Sequence, residues 1–161
     1  MTFIVLVVFL LDQATKFWIA STFRVGQSQP IIAEIVHLTY VRNTGGAFGL
    51  FKGWVPLLIL ISLVAIVLIV RIAFMQRTVS PRRRLGRFAV SLILGGALGN
   101  LADRLHLGYV VDFLDFRVWP VFNVADIAIT CGVGFLILEL LIPPRRREEV
   151  IERQPNPPPS T

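Results

Sequence analysis

Hydrophobic positions along this chain fall in blocks rather than in the scattered periodicity of a soluble core. Residues 1–11 carry no charge, and helical character continues past Asp12 and Lys16 to Ile19. Residues 53–70, 88–102 and 127–138 are likewise uncharged, and the last run stays apolar to Ile142 apart from Glu139. A helix needs about 20 mainly apolar residues to span a bilayer. Counting their polar ends, the blocks predict spans over about 1–19, 54–75, 87–106 and 124–142. Between the first two lies a loop, 20–53, whose "IIAEIVHLTYVR" (31–42) mixes β-branched and aromatic residues with Glu34, His37, Thr39 and Arg42. That pattern predicts a short strand or two on the membrane surface. "NTGGAFG" (43–49) follows, with glycines that permit tight turns. "LGYVVDFLDFRVWPVFN" (107–123) reads as an interfacial segment with Phe113, Phe116 and Trp119 at headgroup depth. The expected fold class is all-α: a four-transmembrane-helix bundle with a small extracytoplasmic β element, formed by residues 1–142, and a disordered Pro-rich cytoplasmic tail, 143–161.

Composition agrees: 55% of the 161 residues are hydrophobic and the mean hydropathy is +0.71. The net charge of +6 raises the question of nucleic acid, but its distribution answers otherwise. Arg71, Arg77, Arg82, Arg83, Arg84 and Arg87 flank the second loop, and Arg145, Arg146, Arg147 and Arg153 follow the last span. Lys16, Arg24, Arg42, Lys52, Arg104 and Arg117 remain for the other side. The positive-inside rule puts the second loop and both termini in the cytoplasm, and "PRRR" (81–84) is topogenic rather than RNA-binding. Without a basic lead, and with Asp12 and Lys16 interrupting it, the first block is expected to be a retained helix rather than a cleaved leader. The lone Cys131 excludes an intramolecular disulfide and is expected to pack within the fourth span.

Polar residues in the spans need an explanation, because ionisable groups there are costly unless they pair, face water or do chemistry. Gly95 and Gly99 form a small-xxx-small pair suited to close helix packing. Asn100 and Asp103 share a helix face, and Asn123 and Asp126 repeat that spacing at the start of the fourth span. Either pair alone suits a cap or an interhelical hydrogen bond. With Asp112 they form a carboxylate cluster. Two close carboxylates share a proton, so that one can activate water while the other donates to a carbonyl oxygen. Which two of Asp103, Asp112 and Asp126 do so stays open on this reading. Arg104 is a ready ion-pair partner for Asp103, Asp115 reads as a solvated interfacial acid, and Glu139 as a snorkelling one. Asp12 and Lys16, four apart, read as a paired Asp12 with a snorkelling Lys16. His37 and His106 stand far apart, no His-Glu-x-x-His or Gly-x-Ser-x-Gly occurs, and the acids lack calcium-loop spacing, so no metal or cofactor is expected.

In order, "LDQATK" (11–16), "VRNTGGAFG" (41–49), "GGALGNLADR" (95–104), "GYVVDF" (108–113) and "FNVADIAI" (122–129) resemble the motifs of the bacterial lipoprotein signal peptidases, also called signal peptidase II. The resemblance runs over nearly the whole chain, with Gly46 standing where many relatives have Ala. It implies an aspartic endopeptidase of the cytoplasmic (inner) membrane, with its active site on the extracytoplasmic face. The implied reaction removes signal peptides from diacylglyceryl-modified prolipoproteins, cutting before the lipidated cysteine. It implies Asp112 and Asp126 as the catalytic pair. Asn43, Asn100, Arg104 and Asn123 would hold substrate or orient the pair, supported by Asp103, Asp12 and Lys16. The expected partners are lipidated prolipoproteins and membrane lipid, with no nucleic acid, and the expected state is a monomer. A proton-coupled transporter would spread its acids through the bilayer depth. A purely structural subunit would tolerate Asp-to-Asn changes.

Overall fold

The computed structural model describes residues 1–45, 53–79 and 84–141. Gly46 and Gly49, Arg82 and Arg83, and the 143–161 segment lie outside the described residues. The element order is α1 (Thr2–Thr22), β1 (Ser28–Ile32), β2 (Val36–Asn43), α2 (Val55–Val79), α3 (Arg84–Leu107), β3 (Val110–Asp115) and α4 (Val124–Leu141). All four helices are long and apolar enough to cross a membrane. The strands form one antiparallel sheet in the order β1-β2-β3.

Helix α1 is built inside out. Its buried residues Val8, Asp12, Lys16 and Ile19 recur at helical spacing and form one stripe. Phe3, Leu6, Leu10, Leu11, Phe17 and Trp18 occupy the exposed faces, where lipid is the solvent. Helix α3 is the centre of the bundle and packs on each of the other three. Small residues set those distances. A Cβ on Gly95 would come within 2.7 Å of the Val8 Cβ, and one on Gly99 would collide with the Asp12 carboxylate. On α4, a Cβ on Gly132 would lie 2.6 Å from Ile93 Cγ1 and 2.8 Å from the Ala89 carbonyl oxygen. The Gly95–Gly99 pair is therefore a packing device, as its spacing predicts.

The sheet stands on the end of α1: Ile19 and Phe23 bury against Tyr40, Val111 and Phe113. Met1 shares a cavity with Arg84, Arg87 and Phe88 at the opposite end of the bundle. Pro30 sits in edge strand β1, where a missing N–H costs no ladder bond.

Two expectations change. Residues 110–115, read as part of an interfacial segment, form strand β3, buried at every position except Leu114. Both faces are covered, so the apolar–polar alternation that marks a half-exposed strand is missing. Cys131, expected to pack, is exposed on the outer face of α4; an apolar residue of a membrane helix can face lipid as readily as protein.

Valine at position 99 would force α1 away from α3. Gly99→Val is expected to destabilise the bundle by about 1–3 kcal/mol, read as a lower melting temperature in detergent. Gly134 has open space around its Cβ position, so Gly134→Ala is expected to be neutral or slightly stabilising.

Candidate active site

Three local features bring the polar residues together. Helix α3 ends at Gly108, whose φ of +75° lets its N–H cap the Arg104 carbonyl at 3.2 Å. The chain turns there into β3, and the Val111 N–H donates to Asp103 Oδ2 at 3.0 Å. After β3 it loops back so that Phe122 pairs with Leu114, donating at 3.1 Å and accepting at 2.8 Å. That return sets Asn123, the N-cap residue of α4, directly beside Asp112.

Asn123 and Asp126 form a reciprocal cap of the capping-box kind. The Asp126 N–H donates to Asn123 Oδ1 at 3.0 Å, and the Asn123 N–H donates to Asp126 Oδ2 at 3.2 Å. The cap is also half of the polar site. Asn123 Nδ2 donates to Asp112 Oδ1 at 2.6 Å, and Asn43 Nδ2, from the end of β2, donates to Asp112 Oδ2 at 2.8 Å. Asn100 Nδ2 donates to Asp126 Oδ1 at 2.9 Å. Each oxygen of both carboxylates thus accepts an amide N–H.

Beneath this layer Lys16 is 3% exposed and does not snorkel. Its ammonium reaches Asp12 Oδ2 at 2.8 Å, Asp103 Oδ2 at 3.1 Å and Asn100 Oδ1 at 2.8 Å. Asp103 is therefore paired with Lys16 of α1, and not with Arg104, its neighbour in sequence; adjacent helix residues point apart. Arg104 instead directs Nη1 to the Asn100 carbonyl at 3.4 Å and to Ser62 Oγ of α2 at 3.5 Å. Asp12 Oδ1 accepts the Ala125 N–H at 2.9 Å, so α1 also caps α4. Gln13, which the sequence reading passed over inside "LDQATK", bridges Asp103 Oδ1 at 3.0 Å and the Gly99 carbonyl at 3.3 Å.

Asp112, Asp126, Asn43, Asn100 and Arg104 all line one cleft of about 510 Å³, with Trp119 and Phe122 on its wall. Asp103, Asp12 and Lys16 lie behind it. Arg42 also borders the cleft, and its guanidinium stacks over the Tyr109 ring at 4.8 Å; no short motif marks that contact. Asp115 is not a solvated acid. It is 6% exposed, accepts from Thr39 Oγ1 at 2.7 Å and from the Arg117 N–H at 2.9 Å, and stands outside the cleft. Glu139, expected to reach the surface, is buried against Gly86.

Burial pushes the Asp112 carboxyl up to about 7. The hydrogen bonds from Asn43 and Asn123 oppose that rise, and the nearby Asp126 charge adds to it. An acid so placed exchanges its proton near neutrality, which suits acid–base work. Among the described residues no group of three or more His, Cys, Asp or Glu is arranged to hold a metal ion.

Fold and site together define a polytopic membrane protein with a carboxylate-lined cleft at one end of its helical bundle. Residues 4–142 match the family described as signal peptidase (SPase) II. The lipoprotein signal peptidase of Moorella thermoacetica is 48% identical over 139 residues, covering 86% of this chain and 90% of the relative. That of Halothermothrix orenii is 47% identical over 139 residues, covering 85% and 92%. A solved bacterial membrane enzyme, determined by the in meso method at 2.3 Å, superposes with a TM-score of 0.78 at 33% identity, covering 87% of this chain and 86% of that one. The chain belongs to the signal peptidase II family and is an integral membrane peptidase.

The raised Asp112 carboxyl links proton binding to folding. Its folded value of about 7 exceeds the ordinary 3.8, so the folded protein holds this proton more tightly than the unfolded chain. The contribution to stability is present at low pH and is lost as pH rises through that window. Asp112→Asn lacks this slope. The melting temperature of the variant minus that of wild type is therefore expected to increase from about pH 5 to about pH 8, measured in detergent. Parallel curves would show that Asp112 does not carry the shifted proton.

Proposed function

We propose that this chain is an aspartic endopeptidase that removes signal peptides from diacylglyceryl-modified prolipoproteins, cutting before the lipidated cysteine. Asp112 and Asp126 form its dyad. The observation that carries this reading is that both carboxylates border one cleft, with all four oxygens held by amide N–H groups. One proton is shared by the pair. The ionised member takes a proton from water as the water oxygen bonds to the scissile carbonyl carbon. The protonated member gives its proton to the carbonyl oxygen. The resulting tetrahedral diol collapses as the C–N bond breaks: the captured proton passes to the leaving nitrogen, and a diol hydroxyl proton returns to the other carboxylate. No covalent intermediate and no cofactor takes part.

The asparagines hold the dyad, and Arg104 offers donors to substrate carbonyls in the cleft. The substrate's signal helix lies along the bundle with its acyl chains in lipid, so binding energy remote from the cut fixes the register. We read the chain as an inner-membrane monomer whose Lys and Arg distribution favours cytoplasmic termini and a cytoplasmic 143–161 segment, which puts sheet and cleft on the extracytoplasmic face.

Purified protein in detergent, given a diacylglyceryl-modified prolipoprotein, is expected to release the signal peptide. Asp112→Asn and Asp126→Asn are expected to remain folded and to lose about 10³-fold or more of kcat, whereas Asp103→Asn keeps measurable cleavage. The kcat/KM profile is expected to fall above about pH 7, as Asp112 loses its proton and the pair becomes doubly charged. A wild-type protein that leaves the lipidated substrate whole would overturn the reading. A folded, active Asp112→Asn would overturn the dyad.

A further inference from the structure

Lys16 touches neither Asp112 nor Asp126, yet hydrogen bonds through Asn100 link it to Asp126, and Asn123 joins the same Asn100 oxygen to Asp112. An ammonium group only donates, so the atom of Asn100 facing it at 2.8 Å is Oδ1. That choice leaves Asn100 Nδ2 for Asp126 Oδ1 at 2.9 Å. The same Asn100 Oδ1 accepts from Asn123 Nδ2 at 3.1 Å, and Asn123 Nδ2 also donates to Asp112 Oδ1 at 2.6 Å. Were Asn100 turned over, its Nδ2 would meet the Lys16 ammonium and its oxygen would meet the Asp126 carboxylate, two repulsive contacts. The direction of the Asn100 amide therefore follows from that cation, whereas Asn123 is turned by the Asp126 N–H that donates to its Oδ1.

Resting on the dyad reading above, we infer that Lys16 is a positioning residue for the reaction. It locks the Asn100 amide in the orientation that presents Nδ2 to Asp126 and leaves Oδ1 to accept from Asn123 Nδ2, the group that also donates to Asp112. With their lateral lone pairs occupied, the shared proton is confined to the sides of the carboxylates that face the cleft, where water and the scissile carbonyl must lie. The charged groups around the pair are Lys16 from α1, with its partners Asp12 and Asp103, Arg42 at the cleft border, Arg104 from α3, and the partner carboxylate itself.

A merely structural Lys16 would serve only to neutralise Asp12 and Asp103, and Lys16→Met alone would leave both acids buried and uncompensated. The deciding protein is the triple variant Asp12→Asn/Lys16→Met/Asp103→Asn, which removes all three charges together. Wild type and triple variant are compared by melting temperature, by kcat and KM across pH, and by the NMR signals of the Asn100 Nδ2 protons, assigned with Asn100→Asp. The triple variant is expected to melt within a few degrees of wild type and to keep KM. Its kcat is expected to fall about 100-fold, because the Asn100 donor to Asp126 is no longer fixed. Its Asn100 amide protons are expected to exchange rapidly where those of wild type are protected. A triple variant that regains both wild-type kcat and protected Asn100 protons would overturn the inference. Wild-type protein that does not cleave would sink the peptidase reading instead; the amide signals still decide the orientation of Asn100 without turnover.

Discussion

Inside a bilayer there is no water to satisfy a stray polar group, so each must find its partners within the protein. The tightest instance here is the Lys16 ammonium, held by Asp12, Asp103 and Asn100. Those contacts join α1 to α3. The same two acids reach further, Asp12 to the first turn of α4 through the Ala125 N–H and Asp103 to β3 through the Val111 N–H. One cation thus sits at the junction of the elements that carry the cleft. A pair removed as a unit can be nearly neutral, but an acid left alone in such a place is costly, which ties the placement of α1 to that of the residues above it.

Packing makes that junction possible. Gly99 carries no side chain where the Asp12 carboxylate passes, so the ion pair can lie in the helix interface rather than at its edge. The cap of α4 is then shared property. Asn123 and Asp126 satisfy the helix terminus as any capping pair does, while Asn100 and Asp112 draw on the same side chains. Local helix chemistry and site geometry are solved by one set of atoms, and neither can drift without the other.

Much of this was legible in sequence. Four apolar blocks of spanning length determine four helices almost by themselves, and the repeated Asn-x-x-Asp spacing marks two polar helix faces. What escaped has identifiable physical causes. Strand β3 carries Asp112 and Asp115 among apolar and aromatic residues, a mix that reads as interfacial, although the strand is buried on both faces. Asp103 and Arg104 invite pairing because they are adjacent in sequence, but adjacent residues on a helix diverge, and the true partner lies on α1. Asp115 looks solvated only if Thr39, far away in sequence, is not known to sit beside it. The inward aim of Asp12 and Lys16 was in principle readable: with Val8 and Ile19 they keep one helical face, opposite Phe3, Leu10 and Phe17. Helical amphipathicity in a membrane is inverted, and a polar stripe there marks the protein side.

The same inversion bears on why an acid stands at position 112 at all. For the fold alone, a side chain with no charge to desolvate would be less costly, although an amide would turn its own donor towards Asn43 or Asn123. A carboxyl whose proton is held until about pH 7 instead makes the folded state less favourable at neutral and alkaline pH than it needs to be. Two asparagine donors soften that cost without abolishing it, since burial remains the larger influence. A purely architectural role gives no reason to keep such a group, whereas proton transfer near neutrality requires one. The penalty at Asp112 is therefore the clearest physical sign that this end of the bundle is organised around chemistry and not only around helix packing.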